Sequence, residues 1–181
     1  MCVIIVKPRG TKMPPKDELE MAALLNPDGF GFVSESTNYK SLDFEDFYKH
    51  LRNVPRKENC IIHFRYATHG SVKISNCHPF FSDGVWFAHN GILNIRPTGD
   101  RTDSEEAFVT RLLPAIKAYG IGSAMVKAEI NSIIGYSKFA FMVNGHIHLY
   151  GGFSQYKGRY YSNTRHLPRT SYARVVPVGA R

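Results

Sequence analysis

The order in which its apolar segments change spacing constrains this chain most. Residues 2–6, CVIIV, are apolar and β-branched and read as a strand. Pro8, Gly10, Pro14 and Pro15 break the chain after it. Leu19, Ala22, Ala23 and Leu25 then recur close to helical spacing over 16–25. The turn Asn26-Pro27-Asp28-Gly29 leads into a strand at 30–33, in which Gly31 marks a close backbone approach. A helix at 44–51 carries Phe44, Phe47, Tyr48 and Leu51 on one face, with Asp43 as its N-cap. Strands are expected at 60–66 and 85–89, the second ending at the turn signal Asn90-Gly91. Helices are expected at 103–113, kinked or ended by Pro114, and at 123–134. The chain returns to strands: a hairpin of 139–143 and 146–150 around Asn144-Gly145, then 160–161 and 174–178. Strands first, two helices centrally and strands again predict an α+β fold with antiparallel pairing, not a doubly wound parallel sheet.

The 181 residues suit one domain spanning 1–181, with no internal repeat or low-complexity stretch. No uncharged apolar run approaches membrane-spanning length, and the apolar start is too short for a signal peptide. The expected location is therefore cytoplasmic. Cys2, Cys60 and Cys77 are odd in number and form no C-x-x-C, so neither a disulfide framework nor a zinc ribbon is expected. Of the eight histidines, His146 and His148 share a strand face and His63 lies two residues before Arg65. Neither spacing offers three or four convergent ligands, and no metal is expected.

The formal net charge of +8 is unevenly placed. No Asp or Glu comes after Glu129, whereas Lys138, Lys157, Arg159, Arg165, Arg169, Arg174 and Arg181 do. Such a segment is either a solvated edge or a surface for phosphate, nucleic acid or an acidic partner. Tyr160-Tyr161 among these cations could stack on bases, although a strand is the simpler reading. Phe80, Phe81, Trp86 and Phe87 read as core.

Four short segments can carry chemistry. Removal of Met1 would make Cys2 the N-terminal residue. Its α-amine, with a pKa of about 7.7–8.0, could then take the proton of a thiol of pKa about 8.5, so one residue supplies base and nucleophile. The alternative is a small buried residue in a first strand. Arg65-Tyr66-Ala67-Thr68-His69-Gly70 sits where a strand runs into a loop. It offers a guanidinium fork for a carboxylate, the Thr68 hydroxyl and a glycine that admits a ligand, or simply a surface arginine. In His89-Asn90-Gly91, the Asn90 side-chain amine and the Gly91 amide could converge on one oxyanion; an ordinary turn is the competing reading. Asp103 could receive an ammonium, or cap a helix with Glu106 as its capping-box partner. Together these parts would hold an α-amino acid and attack its side-chain amide.

The pattern resembles the class II glutamine amidotransferases: an N-terminal Cys, then R-x-A-T-H-G, H-N-G-I and D-[ST]-E at a helix start. Here these are Cys2, residues 65–70, residues 89–92 and residues 103–105. Asp28-Gly29-Phe30-Gly31, Asn76-Cys77-His78-Pro79 and Tyr161-Ser162-Asn163 extend the resemblance over roughly residues 2–163, the last group resembling small stand-alone members in bacteria and their viruses. The resemblance implies a four-layer αββα sandwich of the N-terminal nucleophile hydrolases. It implies Cys2 as nucleophile with its own amine as base, Asn90 and Gly91 as oxyanion hole, Arg65 as carboxylate receptor and Asp103 as ammonium receptor. Thr68, His69 and Gly70 belong to the implied substrate site. The implied reaction converts glutamine to glutamate and ammonia through a thioester, without metal or organic cofactor. Tyr66 stands where many members carry Trp. No sequence of domain size comes after residue 163, so the expected ammonia acceptor is a separate synthase, or the amide is hydrolysed alone. A γ-glutamyl compound is the alternative substrate. A disused site, with the basic C-terminal segment binding nucleic acid or a protein, is the alternative function.

Overall fold

The computed structural model describes residues 2–67, 70–168 and 173–177. Eleven strands and five α-helices occur among them. A seven-stranded sheet has the order β11-β9-β10-β1-β4-β2-β3. Its members are β1 (Val3–Lys7), β2 (Phe30–Ser34), β3 (Asn38–Ser41), β4 (Cys60–Phe64), β9 (Gly152–Tyr156), β10 (Arg159–Tyr161) and β11 (Ala173–Pro177). A four-stranded sheet runs β5 (Phe80–Ser82), β6 (Val85–Asn90), β7 (Lys138–Val143) and β8 (His146–Tyr150). Every neighbouring pair is antiparallel.

The layer order is set by where alternate side chains go. On β1, Val3 and Ile5 face one way and Ile4 and Val6 the other, and all four are fully buried. Val3 and Ile5 join Phe30, Phe32, Ile62 and Phe64 under α1 (Lys16–Leu25) and α2 (Phe44–Leu51). Ile4, Val6, Val33 and Ile61 meet Ala88, Ala140, Met142 and Leu149 of the smaller sheet. The far face of that sheet, with Val85, Phe87, Phe139 and Phe141, is covered by α3 (Asp103–Ala107), α4 (Leu113–Tyr119) and α5 (Ala124–Ile133). Three apolar layers thus separate helices, sheet, sheet and helices, an αββα sandwich. A strand covered on both faces needs apolar residues at every position, which is why β1 is an unbroken apolar run up to Lys7. Lys7 is itself buried, its ammonium donating to the carbonyls of Pro55, Arg56 and Glu58.

Most expected elements are present within a residue or two. Asp43 caps α2 by accepting from the Asp46 amide at 2.7 Å, and Ser123 caps α5. The β7–β8 turn at Asn144-Gly145 has positive φ at both residues, as a two-residue hairpin turn of this twist requires.

Several expectations are corrected. β4 ends at Phe64 rather than 66, because Arg65 leaves the ladder: its amide donates to the Gly29 carbonyl, and its carbonyl accepts from the Asp28 amide. Pro114 does not end its helix. The chain widens to a π turn over Phe108–Leu112 and continues as α4, with Pro114 in the first turn after the π segment. A π turn lets the ladder skip the missing proline N–H. β6 does end at Asn90, where the turn signal Asn90-Gly91 stands, and the chain passes from there into the loop before α3. Phe81 is not core but 56% exposed, its ring tilted against that of the half-buried Trp86 with centroids 4.4 Å apart, since alternation on a two-residue-period strand buries only Phe80 and Phe87. The short strands β3, β5 and β9 lacked an alternating signal long enough to predict.

This topology gathers four chain segments. Val3 pairs with Phe64, so Cys2 lies beside Arg65 at the edge where β1 begins and β4 ends. β10 ends there too, its Tyr161 opposite Ile5, and the Ser162 amide donates to the Ile4 carbonyl. From the other sheet, β6 ends at Asn90, whose carboxamide touches Ser162.

Candidate active site

A narrow cleft with a cavity volume of about 40 Å³ opens at this edge. Its wall includes Cys2, Arg65, Tyr66, Gly91, Thr102 and Asp103, with Asn76, His78 and His89 deeper in. Of the residues singled out from sequence, Cys2, Arg65, Gly91 and Asp103 line this cleft; Asn90 lies just behind it, between two lining residues. Gly70 has φ +77° and closes over Arg65 and Asn76. Thr68 and His69 lie outside the described residues.

The Cys2 sulfur accepts from the Tyr66 amide at 3.3 Å and faces the Tyr66 carbonyl at 3.5 Å. Burial pushes its thiol pKa up, against the Tyr66 amide and the Arg65 charge, which favour the thiolate. At rest the Cys2 side chain is therefore a thiol rather than a thiolate. The Cys2 carbonyl accepts from the Asn163 side chain at 2.6 Å.

Arg65 is buried in the cleft wall, 5% exposed, and one nitrogen donates to the Ser71 carbonyl at 3.2 Å. Asn76 donates to the same carbonyl at 2.9 Å, folding residues 70–76 onto the guanidinium. The Asp28-Gly29-Phe30-Gly31 motif holds this floor. Asp28 accepts from the Ala67 amide at 2.7 Å. Gly29 lies so close to Cys77 that a Cβ there would meet its sulfur at 2.4 Å, and a Cβ on Gly31 would sit 2.0 Å from the His78 carbonyl oxygen. The close approach read from a glycine within a strand is thus an approach to the cleft's own wall.

Gly91 has φ +146°, and a Cβ on it would lie 2.1 Å from the Ser137 hydroxyl. Glycine is required there both for conformation and for space. Asn90 is buried; its Nδ2 donates to Ser162 Oγ at 2.8 Å, and its Oδ1 has no hydrogen-bond partner.

Asp103 is not the helix cap. Thr102 caps α3 by accepting from the Glu105 amide, and Glu106 instead binds Thr98 and Arg101. A one-residue shift changes the outcome: as the first helical residue, Asp103 turns its carboxylate to the Leu93 amide at 2.9 Å and to the Ser104 hydroxyl at 3.3 Å. It pins the loop after Gly91 and keeps lone pairs for a ligand at a helix N-terminus.

Sequence reasoning assigned no role to Asn76, His78, His89 or Thr102, although the first three fall in segments it had marked. Three of the buried histidines form a chain: His78 Nδ1 to His63 Nε2 at 3.0 Å, His63 Nε2 to the His89 carbonyl at 3.2 Å, and His89 Nδ1 to Ser104 at 2.7 Å. Burial lowers the pKa to about 3 at His63, to about 4 at His89 and well below the usual range at His78, leaving neutral imidazoles. Among the described residues no three His, Cys, Asp or Glu side chains group as a metal would need.

The basic C-terminal reading loses two of its members. Arg159 is buried, 3% exposed, and bonds the Tyr161 hydroxyl at 2.7 Å and Glu18 at 3.4 Å. Tyr161 is fully buried with its hydroxyl on Glu18, so Tyr160-Tyr161 cannot form a stacking platform. Arg169, Arg181 and the side chain of Arg174 lie outside the described residues. No helix among the described residues is long and apolar enough to cross a membrane.

The sequence model of the family described as "Glutamine amidotransferases class-II" matches residues 47–146. Curated relatives include a glutamine--fructose-6-phosphate aminotransferase [isomerizing] of Rhizobium leguminosarum bv. viciae, 36% identical over 72 residues, covering 34% of this chain and 12% of that protein. A putative glutamine amidotransferase of Haemophilus influenzae is 44% identical over 64 residues, covering 28% of this chain and 21% of that one. The chain therefore spans a minor part of the curated relatives it matches. Among solved structures, the glutamine phosphoribosylpyrophosphate amidotransferase from B. subtilis complexed with ADP and GMP superposes with TM-score 0.64 at 20% identity, over 99% of this chain and 46% of that chain. A structure of the allosteric regulatory enzyme of purine biosynthesis gives 0.63 at 18%, with the same coverage. These neighbours establish the fold, the αββα sandwich of the N-terminal nucleophile hydrolases. With the family match spanning more than half of its residues, the chain belongs to the class II glutamine amidotransferases.

Proposed function

We propose that this chain is a single glutamine-hydrolysing domain whose nucleophile is Cys2 after Met1 is removed, acting in the cytoplasm and delivering ammonia to a synthase site outside the domain. One observation carries the reading: in a class II amidotransferase, Cys2, Arg65, Gly91 and Asp103 line the same cleft. Arg65 binds the α-carboxylate of glutamine and Asp103 its α-ammonium, and Thr68, His69 and Gly70 belong with them to the substrate-binding residues. Two charges fixed at one end of the substrate orient the amide at the other.

The Cys2 sulfur attacks the side-chain carbonyl carbon, and the thiol proton passes to the α-amine of Cys2. The carbonyl oxygen becomes an oxyanion held by Asn90 and Gly91, each donor being worth about 2.7–4 kcal/mol in such a transition state. The C–N bond breaks as the ammonium returns its proton, releasing ammonia and leaving a thioester. Water then adds to the thioester with the amine again as base; the C–S bond breaks, giving glutamate and the thiol. A thiol pKa raised by burial supports the need for the adjacent amine, because little thiolate exists without it. The length of the structural neighbours, of which this chain covers 46%, supports an acceptor site beyond the domain.

The test is intact mass spectrometry before and after exposure to an electrophilic glutamine analogue, with glutamate and ammonia release measured alongside. Loss of one Met, then one adduct that Cys2→Ala abolishes, is expected. Retained Met1 with neither adduct nor ammonia release refutes the proposal.

A further inference from the structure

Ser162 sits at a junction behind the reacting atoms. Its amide donates to the Ile4 carbonyl at 2.9 Å, and its hydroxyl oxygen accepts from the Ile4 amide at 2.8 Å. The same oxygen meets the Asn90 carboxamide at 2.8 Å. Ser162 is 4% and Asn90 2% exposed, so bulk solvent is kept from their polar atoms. One residue on, Asn163 holds the carbonyl of Cys2.

The proton count at this junction is decisive. With Nδ2 of Asn90 turned to Ser162, the serine oxygen receives two donors, its own proton has no acceptor among the described residues, and Asn90 Oδ1 has no donor. Two buried polar groups are then unsatisfied, an arrangement that folded interiors avoid. A half-turn of the carboxamide exchanges two ends of nearly identical shape. The serine proton then goes to Oδ1, and one group alone is left over: the Asn90 amine, both of its N–H bonds turned away from Ser162. That is the donor an oxyanion requires. Ser162 favours this orientation because its single proton has no other acceptor among the described residues, while the Ile4 amide already satisfies its oxygen as an acceptor.

We propose that Ser162 is a positioning residue for the oxyanion donor: by donating to Asn90 Oδ1 it keeps the Asn90 amine directed at the substrate carbonyl. The proposal rests on the glutamine-hydrolysis reading. Ser162 touches no reacting atom and acts only through Asn90.

The experiment is a double-mutant cycle of Ser162→Ala and Asn90→Ala, reading kcat and KM for glutamine, with iodoacetamide alkylation of Cys2 measured in parallel. Alkylation forms no oxyanion, so it reports the nucleophile alone. Ser162→Ala is expected to lower kcat ten- to a hundredfold, a part of the roughly 10²–10³ that losing a whole donor costs. KM and the alkylation rate should stay within about threefold, and Ser162→Thr, which keeps a hydroxyl, should recover most of the loss. On the Asn90→Ala background, Ser162→Ala should cost less than twofold more. If Ser162→Ala does not fold, Ser162→Cys, a weaker donor of similar size, must show an intermediate kcat. Additive losses, or alkylation falling in step with kcat, overturn the proposal while leaving the function standing. A wild-type protein that neither hydrolyses glutamine nor reacts at Cys2 refutes the underlying reading, and this inference with it.

Discussion

Gly31→Ala isolates the packing requirement that one strand glycine imposes on the cleft. Gly31 does not need positive φ, so alanine meets no conformational penalty there and the effect is steric alone. The new Cβ would lie 2.0 Å from the His78 carbonyl oxygen and 3.1 Å from the carbonyl carbon, where contacts under 3.0 Å are not tolerated. One backbone segment must therefore retreat by about 1 Å, and no rotamer change can relieve it, because both partners are main chain. Overpacking costs about 1–3 kcal/mol, and a purely backbone response belongs in the upper half of that range. At about 2–4 °C per kcal/mol for a domain of this size, the expected fall in Tm is roughly 4–12 °C. Gly122→Ala is the control: it adds the same methyl where nothing lies within 4 Å, and should be neutral or slightly stabilising. Urea and thermal unfolding monitored by Trp86 fluorescence supply the comparison. Because His78 lines the cleft, glutamine hydrolysis should also fall at least tenfold in Gly31→Ala, as a displacement near 1 Å in a positioned site does. Unfolding midpoints of the two variants within about 1 °C of each other would show that the clash argument is wrong.

The buried histidines make stability depend on pH well above the carboxylate range. His63, His89 and His166 have native pKa values lowered to about 3, 4 and 4 by burial, so below about pH 6.5 the unfolded chain binds more protons. Stability is then lost as pH falls from about 6.5 toward 4, by roughly 2 kcal/mol at pH 5 for each imidazole that stays neutral; equal urea midpoints at pH 7 and pH 5 would contradict this. Glu18→Gln leaves the Arg159 guanidinium buried beside a neutral amide and should cost about 3 kcal/mol, whereas Lys157→Gln, at an exposed turn, should change the urea midpoint negligibly. Asp103→Asn should raise KM for glutamine at least tenfold while the protein stays folded, since Asn keeps an acceptor for the Leu93 amide; an unchanged KM would remove Asp103 from the substrate site.

Much of the architecture was readable because strands buried on both faces and helices with one apolar face leave different spacings. β1, α1, α2, β6, α5 and the β7–β8 hairpin all carry such signals. The candidate site was readable in part, since Cys2, Arg65, Gly91 and Asp103 belong to short motifs whose residue types suit one chemistry. The capping role of Thr102 was misplaced by one residue, because Thr102 and Asp103 are both good caps and only the backbone at each decides between them.

What the sequence determined by itself is the set of elements and the types of chemical group available, because propensity, period and acid–base character belong to residues and their near neighbours. Which groups meet was decided by tertiary structure. Cys2, Asn90 and Ser162 lie far apart along the chain, yet antiparallel pairing of β1 with β4 and β10, and packing of β6 against that sheet, bring them to one edge. The same pairing buries Arg159 and Tyr161, which as letters looked available to a nucleic acid. Local composition cannot say which face of a strand is covered, because covering is done by residues a hundred or more positions away.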